Sequence, residues 1–131
     1  MITLFLVGDD LLVRQGLRLW LARATDITVV GEASTGAEAA ALAPTLRPAV
    51  VLVDISAPTT DGIAAATALR ASVPHSAVVL LSLHDDAITH ARAHAAGAVT
   101  VVGTQEGAQA LLAAVRAAGG QGREPSGEGT P

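Results

Sequence analysis

At 131 residues, half of them hydrophobic, the chain is long enough for one sizeable core and too apolar to stay disordered. A net charge of −4 argues against a face built to grip a phosphate backbone, and the lack of cysteine excludes disulfides and thiolate chemistry. No apolar run reaches membrane length and no charged-then-apolar leader opens the chain, so a soluble cytoplasmic domain is expected. All eight basic residues are arginines, so any mechanism that needs a lysine ammonium has none.

Leu4-Phe5-Leu6-Val7 reads as a buried strand, and Gly8-Asp9-Asp10 as the turn that leaves it. From Leu11 to Ala24, the apolar positions Leu12, Val13, Leu17, Trp20, Leu21 and Ala24 recur at helical spacing. Ile27 to Ala33 is a second strand. Ser34-Thr35-Gly36 opens an alanine-rich helix that ends near Leu46, before Pro48. Ala49 to Asp54 is an apolar, mostly β-branched run that ends in a lone carboxylate. Such a run marks a strand covered on both faces of a parallel sheet. A loop and a helix from about Asp61 to Ser72 follow, with Pro74 and His75 at the return turn.

Ala77 to Ser82 is another doubly buried strand, ending in a hydroxyl. His84-Asp85-Asp86 leads into a helix through Ala96, with Asp85 or Asp86 placed to cap it, and Gly97 terminates it. Ala98 to Val102 forms a short fifth strand and Glu106 to Ala118 a last helix. From Gly119 to Pro131 the composition is that of a flexible linker, expected to lead to a further segment. Strands and helices alternate five times, which predicts a doubly wound α/β domain with right-handed crossovers.

In such a sheet the site is expected at the carboxyl edge. Asp9, Asp54 and Ser82 all fall there. Two carboxylates at one edge favour a hard divalent cation, and a carboxylate, metal and hydroxyl together make a phosphoryl-acceptor site with Asp54 as nucleophile. The competing reading is that Asp9 and Asp54 cap helices or stay solvated.

The sequence resembles a response-regulator receiver domain of two-component signalling, of the type that precedes a LuxR-type helix-turn-helix in the NarL/FixJ subfamily. The likeness runs from Ile2 to Ala118. It rests on Leu12-Val13-Arg14-Gln15-Gly16-Leu17, Val29-Val30-Gly31-Glu32-Ala33 and Arg47-Pro48 through Asp54-Ile55. Pro58, Asp61-Gly62-Ile63 and Leu81-Ser82-Leu83-His84-Asp85 extend it. The resemblance implies a CheY-like five-stranded parallel sheet in the order 2-1-3-4-5, with a receiver over 1–118 and a tail over 119–131. It implies Asp54 as phosphoacceptor from a histidine kinase, Mg²⁺ held by Asp9, Asp54 and the Ser56 carbonyl, and Ser82 as switch hydroxyl. It also implies a homodimer, through the first and last helices or the face of the fourth helix, fifth strand and fifth helix. DNA would be reached only through an output domain outside these residues.

The pattern breaks at several positions. Gly8 stands where the family has an acidic residue, with Asp10 displaced beside the site. Thr104 falls at the position of the family's lysine, Val101 at that of its switch aromatic, and Ala57 at that of its loop methionine. The expectation is therefore an atypical receiver with a weak Mg²⁺ site and little dependence on phosphorylation. An ordinary phospho-receiver and a small-molecule-sensing pseudo-receiver are the alternatives. An α/β enzyme is disfavoured, since no nucleophile–base pair or dinucleotide fingerprint is present. His90 and His94 share a helix face at metal-binding spacing but are expected to be solvated, and Trp20 is expected at core or half-core.

Overall fold

The structure is a computed structural model that describes residues 1–55, 61–83 and 87–122. Five strands, β1 (Ile2–Val7), β2 (Ile27–Ala33), β3 (Val50–Asp54), β4 (Ala77–Ser82) and β5 (Thr100–Gly103), form one parallel sheet in the order β2-β1-β3-β4-β5. The helices between and after them are α1 (Leu11–Leu21), α2 (Gly36–Leu46), α3 (Gly62–Ser72), α4 (Ala87–Ala95) and α5 (Ala108–Gly122). A short 3-10 turn (Thr104–Glu106) precedes α5. This is the expected doubly wound sheet, strand order included. Among the described residues no helix is long and apolar enough to cross a membrane.

Strand alternation splits the core in two. Phe5, Val7, Val51, Val53, Val78, Leu80 and Val101 pack with the small residues of α2, α3 and α4 on one side. Leu4, Leu6, Val50, Leu52, Val79, Leu81 and Val102 pack with Leu21 of α1 and with Leu111 and Val115 of α5 on the other. Every residue of β3 and β4 is buried, which is why their sequences show no polar alternation.

The helices start and stop for local reasons. The Thr35 hydroxyl accepts from the Glu38 amide at 3.1 Å, while the Glu38 carboxylate accepts from the Ser34 amide at 2.8 Å. Pro44 lies inside α2, where its missing N–H leaves the Ala40 carbonyl without its usual helical donor. The Ser72 hydroxyl at the end of α3 donates to that carbonyl at 2.8 Å. At the other end of this pair, Gly36 lies so close to α3 that a Cβ there would stand 2.6 Å from the Ala65 Cβ.

The ends of two helices, and the burial of one residue, differ from expectation. Helix α1 stops at Leu21, with the Ala22 amide closing on the Arg18 carbonyl, rather than reaching Ala24. Its Leu12 and Leu19 are 78% and 73% exposed, so Leu12, counted in the buried stripe by spacing, lies on the outer face. Helix α5 continues past Ala118 to Gly122, because Gly119 packs on Ile2.

Arg116 of α5 makes a two-pronged ion pair with Asp26, at 2.8 and 3.1 Å. That hydrogen-bonded guanidinium holds the Asp26 carboxyl below its ordinary value of 3.8. The pair therefore stabilises the fold above the ordinary carboxylate range and loses its contribution as pH falls through the lowered folded value. Arg116→Ala is expected to lower the thermal midpoint slightly at neutral pH, and the difference from the parent should vanish on acidification. A second pair of substitutions separates packing from propensity. Gly16 in α1 has open space around it, so Gly16→Ala should stabilise by roughly 0.5–1 kcal/mol. Gly36→Ala should cost roughly 1–3 kcal/mol by forcing α2 from α3. Urea unfolding of both variants measures each.

Candidate functional site at the carboxyl edge

Strand β3 ends in Asp54, which is 5% exposed, and its neighbour β4 ends in Ser82, which is 3% exposed. Among the described residues they are the buried polar side chains of an otherwise apolar interior. Val7 pairs with Val53 in the sheet register, which brings Gly8 opposite Asp54. A Cβ on Gly8 would lie 3.4 Å from the Asp54 Cβ and 3.9 Å from its Oδ2, ordinary contact distances. The gap left by the missing side chain therefore opens directly onto the Asp54 carboxylate.

Alternation decides which side each group serves. Asp54 has the parity of Val50 and Leu52 and so belongs to the α1–α5 side, whereas Ser82 has the parity of Val78 and Leu80. Asp9 is exposed and lines a separate cavity of about 370 Å³ with Gly8, Ser34, Thr35 and Asp61. That places Asp9 on the α2–α3 side. Ser56 and Ala57, and the expected cap residues Asp85 and Asp86, lie outside the described residues.

Asp10 caps α1. Its Oδ1 accepts from the Leu12 and Val13 amides at 3.0 and 3.2 Å, so this carboxylate is committed to the helix end. Next to it, Arg14 Nε donates to Glu32 Oε1 at 3.1 Å, and its Nη1 donates to the Gly8 carbonyl. Arg18 Nη1 reaches the second Glu32 oxygen at 2.8 Å. Glu32 of β2 thereby binds two arginines of α1 and fixes the Gly8–Asp10 turn from behind. The sequence reading missed this clamp, although Arg14 and Glu32 lie in motifs it singled out.

Thr104 follows β5 in the 3-10 turn, where the Glu106 carboxylate accepts from the Gly103 amide at 2.8 Å. Thr104 and Asp54 line one cavity of about 340 Å³. Its apolar wall is Val13, Leu17 and Trp20 of α1 with Leu81 and Leu111. Trp20 is half-buried and also packs on the core. Val101 is buried on the opposite side of the sheet with Ala93 and Ala98. His90 and His94 border the shallow opening beside it.

As a Mg²⁺ site the described donors are sparse. Asp9 and Asp54 supply carboxylates of the hard-oxygen kind Mg²⁺ takes. No group of three His, Cys, Asp or Glu residues able to hold a metal occurs among the described residues. At position 8 the residue is glycine and contributes no carboxylate.

Residues 4–116 match the family described as the response regulator receiver domain. The chain is 35% identical over 113 residues to the uncharacterized transcriptional regulatory protein YxjL of Bacillus subtilis, covering 86% of this chain and 52% of that one. It thus spans about half the length of that relative. Among solved structures it is similar to the response regulator domain of Thermotoga maritima CheB, with a TM-score of 0.80 and 28% identity. That match covers 91% of this chain and 96% of the other. It is also similar to the signal receiver domain of the putative response regulator NarL from Mycobacterium tuberculosis, with a TM-score of 0.73 and 29% identity. There the shares covered are 88% and 96%.

The capping role of Asp10 has a direct test. Asp10→Ala should cost about 1 kcal/mol of stability through loss of the α1 cap, measured by urea unfolding.

Proposed function

The chain belongs to the response regulator receiver domain family, and from that membership we propose that it is an atypical receiver of a transcription regulator, with Asp54 kept and phosphorylation little used. Receiver domains are signalling domains rather than enzymes. An output domain carried elsewhere in the protein would contact DNA, and the receiver would act through homodimerisation. The name of YxjL as a transcriptional regulatory protein favours that output.

One observation carries the reading: Gly8 and Thr104, neither of them charged, stand on either side of the buried Asp54 carboxylate. In a phosphotransfer from a kinase histidine, an Asp54 oxygen would bond to phosphorus as the P–N bond breaks and the imidazole leaves. The product adds a dianion at a buried position, and the transfer needs positive charge close by. Mg²⁺ bound by Asp9 and Asp54 would supply part of it, and the Ser82 hydroxyl one neutral hydrogen bond. Thr104 offers at most another neutral bond, roughly half as strong as a charge-assisted one. No lysine elsewhere in the chain can take its place.

Incubation with acetyl phosphate or phosphoramidate and Mg²⁺, followed by intact-mass measurement, tests this. The expected result is no stoichiometric adduct on the parent chain. Gly8→Asp combined with Thr104→Lys should gain one phosphoryl group, lost again on adding Asp54→Asn. A stoichiometric adduct on Asp54 of the parent chain would overturn the proposal in favour of an ordinary phospho-receiver.

A further inference from the structure

The opposite, amino edge of the sheet holds a cavity of about 360 Å³ where β1 and β3 begin and α2 and α3 end. At liquid density that volume takes about a dozen non-hydrogen atoms, at the small end of ligand pockets. Arg47 and His75 border it, and no carboxylate side chain does. Neither of these two side chains makes a hydrogen bond or an ion pair among the described residues. The Thr3 hydroxyl oxygen, also at the lining, accepts from the Ala49 amide at 2.9 Å, which leaves its own hydrogen to donate. Pro44, Pro48, Pro74 and Val73 form the apolar wall. Ser72 and Ser76 give their hydroxyl hydrogens to the Ala40 and Pro48 carbonyls at 2.8 and 2.6 Å, so they stiffen that wall.

The backbone gives a second observation. Arg47 closes α2 at φ 49 and ψ 55, and among the described residues it is the one non-glycine residue with a positive φ. Glycine or asparagine is the usual occupant of such a left-handed helix end, and a residue before a proline is normally extended. A long cation thus stands where helix termination alone favours a small residue, and backbone outliers of this kind cluster at ligand sites.

We infer that this cavity binds a small monocarboxylate with a compact apolar body, an aromatic acid such as benzoate being its simplest form. The Arg47 guanidinium pairs the carboxylate through its planar fork, and the His75 ring and the Thr3 hydroxyl add neutral donors. One exposed cation holds a bare anion only weakly, so the proline wall must supply the remaining affinity by covering the apolar body. One cation and two neutral donors match a monoanion rather than a phosphate dianion. The site does not rest on how Asp54 is used, since Asp54 lies at the far end of β3.

Nuclear magnetic resonance of the ¹⁵N-labelled 131-residue chain tests this by locating the ligand while measuring its affinity. Benzoate is titrated to about 10 mM, the range of weak fragments, against benzyl alcohol, benzylamine and inorganic phosphate. Saturable shifts are expected at the amides of Arg47, Ala49, Val73, His75 and Ser76, with those of Gly8 and Gly103 at the other edge unmoved. The three control probes should bind about tenfold more weakly or not at all. Arg47→Asn removes the charge while keeping a residue that accepts the left-handed backbone, and it should weaken benzoate by about tenfold or more. Arg47→Lys, a point charge without the fork, should fall between the two. The amide spectra also confirm that both variants are folded. Absence of saturable benzoate shifts at the amino edge overturns the inference, as does benzyl alcohol or phosphate binding as tightly as benzoate. Benzoate affinity unchanged in Arg47→Asn overturns it too.

Discussion

The structure depends on a sheet covered on both faces. Strand β3 is buried along its whole length between two helical layers, so its apolar residues hold the register of β1 and β4 on either side. A slip of one residue would exchange the Phe5–Val51–Val78 side for the Leu4–Leu52–Val79 side. That register is what places Asp54 opposite Gly8 and next to the end of β4. The chemistry at the carboxyl edge is thus a product of hydrophobic packing well below it.

A carboxylate held this way cannot relax toward water, so its neighbours determine what it can do. Asp10 is taken up by the helix cap, and Arg14 is tied to Glu32 and the Gly8 carbonyl. These bonds fix the turn while directing its charges away from the α1–α5 cavity. The outcome is an edge with the family's sheet geometry in which the charges of Asp10 and Arg14 are committed to the turn itself.

The sheet was readable from sequence because doubly buried parallel strands are short, uniformly apolar and bounded by turn residues. The Ala77–Ser82 and Val50–Asp54 runs could be little else. Helix α1 was harder, since Leu12 and Leu19 carry the same hydropathy as Leu17 and Leu21 yet lie outside. Spacing gives the period of an apolar stripe, and tertiary packing decides which part of it is covered. The end of α5 was hidden by glycines that look like a linker until Gly119 meets Ile2. Of the site, the acid, the hydroxyl and the chain's lack of lysine were visible from the residues alone. The cavity was not, because its lining comes from α1, β3, β4, β5, the 3-10 turn and α5, and Val13, Leu17 and Trp20 of its wall read as ordinary core.

The Ser72 bond to the Ala40 carbonyl has a mechanical meaning. Together with the contact of Gly36 on Ala65, it fastens α2 to α3 at two points. Both contacts fall within the first five residues of α2, so the start of that helix is the part held most firmly against α3. Compliance at the carboxyl edge is left to the opposite flank, where the 3-10 turn and the glycines at 103 and 107 join β5 to α5.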